Sequence, residues 1–78
     1  MMSSYSSGPE FGLAAIYRIM KRSGAERVSD DAADELRKII EEVAERIARH
    51  AVDLSAHAGR KTLKPEDVRL ASKSVIRV

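Results

Sequence analysis

The sequence predicts an all-α protein, a short helix, a long central helix and a second short helix, in a chain that completes its core as a dimer. Three observations carry that prediction. Apolar residues recur at helical spacing through the middle of the chain, and no Gly or Pro interrupts residues 30–58. Helix-stopping and helix-starting residues bracket this stretch, Ser23-Gly24 before it and Gly59 and Pro65 after it. The chain has 78 residues and no cysteine, so its own core is small and no disulfide compensates.

Residues 1–9 are Ser-rich and show no helical or strand period, so they are expected to form a flexible leader to a single domain over 10–78. From Glu10 to Arg22, Phe11, Leu13, Ala14, Ile16, Tyr17 and Met20 fit one face of a short amphipathic helix. Gly24 suits the left-handed position just past its end. Val28, in the following loop, and Leu63, in the loop after the central helix, are each placed to make a couple of strand-like pairings at most.

Ser29 is a good N-cap for the central helix, and Asp30 and Asp31 put negative charge where the helix dipole favours it. Leu36, Ile40, Val43, Ile47, Ala51, Leu54 and Ala58 follow at steps of three and four, widened by Ile39, Ala44, Ala48 and Val52. Residues 30–58 would span roughly 43 Å at ~1.5 Å per residue. A compact monomer of this size has a diameter of only about 30 Å. The overhang would leave an apolar stripe without cover, and a second copy crossing the first is the natural cover. The chain is therefore expected to be an obligate dimer.

Arg60 to Lys64 read as a basic loop, with Leu63 as its one apolar residue. Pro65 fits the first position of a third helix, and Glu66 and Asp67 fit its first turn. Val68, Leu70, Ala71 and Val75 mark its buried side.

The net charge of +2 conceals a segregation. Residues 18–27 hold four basic residues against one acid, residues 30–45 seven acids against two bases, and residues 60–64 three bases and no acid. These blocks are either a solvated mixed-charge surface or two basic patches that face one polyanion, depending on whether the fold brings them together. Hydrophobic residues make up 44% of the chain, which excludes a disordered basic tail protein.

Catalytic chemistry finds little footing. Cysteine catalysis and thiolate metal sites are excluded by composition. His50 and His57 lie two turns apart, ~10.5 Å, too far to share one metal by themselves. Ser29, Ser55 and Ser72 belong to no histidine–carboxylate arrangement, and no Gly-rich phosphate loop precedes a Lys-Ser or Lys-Thr pair. Three aromatic residues are too few for a base-stacking platform, which favours duplex over single-stranded partners. No apolar run approaches the length of a membrane span or a signal-peptide core. We therefore expect a soluble intracellular protein with no enzyme activity, cofactor, metal or membrane partner.

Two runs resemble a known family. Gly24-Ala25-Glu26-Arg27-Val28-Ser29-Asp30-Asp31-Ala32 and His57-Ala58-Gly59-Arg60-Lys61-Thr62-Leu63-Lys64-Pro65-Glu66-Asp67 are similar to the loops of the archaeal histones, in the same order and bracketing a helix of the same length. The likeness covers about residues 10–75. It implies the histone fold, in which two chains clasp head to tail and the first loop of one lies beside the second loop of the other. It further implies a chromatin protein that wraps and compacts double-stranded DNA with little sequence preference, associated with the chromosome in the cytoplasm. The partners implied are a second copy, further dimers along DNA and paralogous histones.

The resemblance also implies roles residue by residue. Arg27 is the arginine that enters the minor groove and Thr62 its neighbour, while Arg18, Lys61 and Lys64 neutralise phosphates. Paired first helices direct their N-termini at phosphate. Arg60 and Asp67 form the ion pair tying the second loop to the third helix, and Leu54, His57 and Asp67 build the contact between dimers. Gly24 is the small residue that permits close stacking of successive DNA turns. The chain departs from the family in having Gly12 where a proline commonly precedes the first helix, and in a more apolar end, Ser74 to Val78, expected to pack under the third helix or cover a neighbouring dimer. The alternative is a histone-fold component of a transcription complex that pairs with another protein and wraps little DNA. Such a component has no need of the Arg27, Lys61, Thr62 and Lys64 set.

Overall fold

A computed structural model describes residues 12–76. The expected leader, the start of the first helix at Glu10 and Phe11, and Arg77 and Val78 lie outside the described residues. Three helices follow in order, α1 over Leu13–Arg22, α2 over Asp30–His57 and α3 over Pro65–Val75. Among the described residues Val28 and Leu63 join no strand. The central helix runs for 28 residues, one fewer than the apolar pattern indicates, because Ala58 is taken up by the turn that ends it.

The helix ends explain the boundaries. At the end of α1 the Gly24 amide donates to the Lys21 carbonyl at 3.1 Å and the Ala25 amide to the Met20 carbonyl at 3.2 Å. At the end of α2 the Gly59 amide reaches Ala56 at 2.9 Å and the Arg60 amide reaches Ser55 at 3.0 Å. Both are Schellman motifs, which require a residue of positive φ after the cap. Gly24 has φ 111° and Gly59 has φ 74°.

The three N-termini differ. Ser29 Oγ accepts the Ala32 amide at 3.1 Å and caps α2, with Asp30 and Asp31 in its first turn. The Asp67 carboxylate accepts the Lys64 amide at 2.9 Å at the head of α3, behind Pro65. This is one half of a capping box, since the Lys64 ammonium has no lone pair with which to return the bond. Gly12 starts α1 with no side-chain cap and no acid in the first turn.

The chain falls into two compact units that divide α2 between Glu41 and Glu42. In the first, α1 contributes buried Ile16, only 1% exposed, and α2 contributes buried Ala33. Tyr17 donates its hydroxyl to Asp30, which ties α1 to the first residue of α2 and holds the phenol above its ordinary pKa. In the second unit the buried residues are Ala51 and Ser55 of α2 and Asp67 and Ala71 of α3. Ile16 is thus the one large apolar side chain fully buried among the described residues. Ile39, Val52, Val68 and Leu70 stay 45–56% exposed, and Leu36, Ile40, Val43, Ile47 and Leu54 are half-buried. At the C-terminal end Val75, the last residue of α3, is half-buried and Ile76, just beyond it, is exposed.

Candidate nucleic-acid interface

Each unit carries one basic loop. In the first, the Schellman turn at Gly24 launches a non-helical segment that ends at the Ser29 cap. The Lys21 ammonium donates to the Glu26 carbonyl, the residue before Arg27, at 2.5 Å. Lys21, counted with the basic patch by sequence, therefore spends a hydrogen bond on the loop. Arg18 and Arg27 are exposed and make no ion pair with any described residue.

The second loop is more firmly tied. Arg60 grips Asp67 with both terminal nitrogens, Nη1 to Oδ2 and Nη2 to Oδ1, each at 2.8 Å. Asp67 is 4% exposed, and the fork of Arg60 holds its carboxyl down to about 2, with the Lys64 amide adding to the effect. Arg60 Nη1 also donates to the Thr62 carbonyl at 3.3 Å. From α2, the Ser55 hydroxyl lies 3.2 Å from the Arg60 carbonyl and 3.3 Å from the Thr62 carbonyl, so its one proton is shared between them. With these backbone groups turned inward, Lys61, Thr62 and Lys64 remain exposed.

The cations of the central helix behave differently. Arg37 bonds Asp34 at 2.6 Å and Glu41 at 3.0 Å, Lys38 pairs with Asp34 at 3.6 Å, and Arg49 pairs with Glu45 at 3.6 Å. All are contacts between residues three or four apart, the spacing that brings side chains together on a helix. Arg37 holds the Asp34 carboxyl below its ordinary pKa, and its own guanidinium is raised in turn, chiefly by Asp34. Three of the four Lys and Arg residues of α2 are thereby committed, whereas Arg18, Arg27, Lys61 and Lys64 pair with no acid among the described residues.

The residues assigned to dimer contacts are only partly alike in setting. His57 is exposed and its Nδ1 lies 3.1 Å from the Asp53 carbonyl, to which it can donate. Leu54 is half-buried, and Asp67 is occupied by Arg60 and Lys64. Gly24 is exposed, and a Cβ added there would meet nothing within 4 Å in its own chain. Among the described residues no group of three or more His, Asp or Glu side chains is gathered to hold a metal, and no helix is long and apolar enough to cross a membrane.

Sequence reasoning did not foresee the loop contacts of Ser55 and Lys21 or the Tyr17–Asp30 bond. Each acts on a backbone group or a residue brought near by a turn, and no local pattern announces it.

A short–long–short order of helices with glycine-ended α1 and α2 and unpaired loop cations defines a histone-fold chain. The chain belongs to the family of histone-like transcription factors (CBF/NF-Y) and archaeal histones, whose model matches residues 9–71. It is similar to a subunit of the archaeal histone HAN1 of Thermococcus zilligii, 49% identical over 83% of this chain and 97% of that protein. It is also similar to the probable archaeal histone 3 of Methanocaldococcus jannaschii, 48% identical over 80% of this chain and 92% of that protein. Histone H4 of Tetrahymena thermophila is 37% identical over 76% of this chain and 57% of its own length.

Proposed function

We propose that this chain is a histone-like chromatin protein that binds, wraps and compacts double-stranded DNA as a dimer, with little sequence preference. The observation that carries the reading is the division of its cations. Three of the four in α2, Arg37, Lys38 and Arg49, are neutralised along their own helix, while Arg18, Arg27, Lys61 and Lys64 are exposed and without a carboxylate partner among the described residues. Arg27 enters an inward-facing minor groove beside the Thr62 hydroxyl, and Arg18, Lys61 and Lys64 take phosphates. The uncapped, acid-free start of α1 adds amide donors for another phosphate.

The dimer follows from the exposed apolar residues. Ile39, Val52, Val68 and Leu70 need a cover that the described residues do not supply, and a second copy or a paralogous histone supplies it head to tail. That arrangement sets the Arg27 loop of one chain beside the Lys61–Thr62 loop of the other. Arg60 and Asp67 brace the second loop, Leu54, His57 and Asp67 contribute to joining dimers, and Gly24 keeps successive DNA turns close. The protein is then associated with the chromosome.

Binding titrations across salt concentrations test this. Arg27→Ala and Lys61→Ala should each weaken binding and make the logarithmic salt dependence shallower by about 0.9 for every phosphate contact removed. An affinity indifferent to salt, or confined to one operator sequence, contradicts the reading.

A further inference from the structure

We propose that Ser55 is a positioning residue for DNA binding, one that sets the loop bearing Lys61 and Thr62 without touching DNA itself. The inference rests on the DNA-binding reading above and deepens it. Ser55 is 4% exposed, so its hydroxyl is closed to solvent and to any duplex. A serine within a helix commonly bonds back to the carbonyl one turn earlier or turns to water. Ser55 instead reaches forward, to the carbonyls of Arg60 and Thr62, five and seven residues on.

The same residue accepts the Arg60 amide through its own carbonyl at 3.0 Å. Arg60 is thus held by Ser55 at both its amide and its carbonyl. The Thr62 carbonyl is held from two sides, by Ser55 Oγ and by Arg60 Nη1. The Lys64 amide is held by Asp67. The loop backbone is tied at residues 60, 62 and 64, and of these ties the Ser55 hydroxyl is the one that comes from α2 through a side chain. Alanine is the better helix former, so the hydroxyl serves the loop rather than the helix. A loop fixed before contact loses less conformational entropy on binding, which is how a buried group raises the affinity of exposed ones.

The test uses the full-length protein and a mixed-sequence DNA duplex. Losing one neutral hydrogen bond should weaken binding by Ser55→Ala about three- to tenfold. The salt dependence should be unchanged, because no phosphate contact is lost. In a Lys61→Ala/Thr62→Ala background the further change Ser55→Ala should cost nothing more, whereas with Arg18→Ala its full effect should persist. Amide hydrogen exchange at residues 60–64 of the DNA-free protein should quicken in Ser55→Ala. Unchanged affinity, unchanged exchange, or an equal loss in both backgrounds overturns the proposal, the last by showing a general loss of stability. If Lys61→Ala itself leaves affinity and salt dependence untouched, it is the DNA-binding reading that fails, while the exchange measurement still reports on the loop.

Discussion

Asp67 meets three donors with two oxygens, the two forks of Arg60 and the Lys64 amide, in a nearly closed site. Its carboxyl lies at about 2 in the folded chain against an ordinary 3.8. Because the folded value is the lower one, the stabilisation is complete above about pH 4 and drains away as pH falls toward 2. Asp67→Asn should therefore melt several degrees lower at neutral pH and lose less than the parent between pH 4 and 2. Thermal melts across that range decide it, and parallel acid limbs would assign the sensitivity to another group. The Arg60–Asp67 contact was legible in the sequence only through the family likeness, since seven residues and a helix start separate the partners. The Arg37 pairs with Asp34 and Glu41 need no such help, because helical spacing alone dictates them. Ser55 lies at the other extreme. Its role depends on a carbonyl turned inward two residues beyond Arg60, and nothing in the residue string records the direction of a carbonyl.

Among the elements, α1 is the helix whose start is left bare. Gly12 has φ −75° and ψ 143°, a conformation open to any residue, and a Cβ there meets nothing within 4 Å. A serine or aspartate at this point supplies the missing side-chain cap, worth a few tenths of a kcal/mol over glycine. Gly12→Ser and Gly12→Asp should both raise the melting temperature. On DNA they should part company, Ser nearly neutral and Asp weaker, because its charge faces the phosphate assigned to this helix end. Equal DNA affinity for the two variants would remove α1 from the interface. At the end of α2, Gly59→Ala should cost about 1 kcal/mol in chemical denaturation, a purely conformational loss because the site is open. Gly24 needs the same care. Its φ of 111° already demands glycine, so a stacking role has to be read from assemblies on DNA and not from stability. The sequence located these boundaries to within a residue at Arg22, Asp30, His57 and Pro65, because capping and punctuation are local physics.

For the molecule as a whole, the exposed apolar residues are the deciding feature. Leu70 is 56% exposed, and in a chain that stood alone its replacement by a polar residue would change stability by about 0.5 kcal/mol or less. In the proposed dimer Leu70→Glu buries an unpaired charge, and the protein should fail to pair and lose its helical signal. Sedimentation and circular dichroism at one concentration distinguish the two outcomes. Assembly beyond the dimer is read from nuclease digestion of reconstituted complexes. A ladder of protected fragments growing in dimer-sized steps marks extension along DNA, whereas one protected length marks a closed particle.

In the proposed dimer the core is assembled from two chains, which makes supply and structure inseparable. Where unpaired chains predominate, the amount of folded protein rises with the square of their concentration, so halving the supply leaves about a quarter of the product. Chromatin built on such a protein would answer steeply to its rate of synthesis, and surplus single chains, with Ile39, Val52 and Leu70 bare, would be the ones a protease meets first.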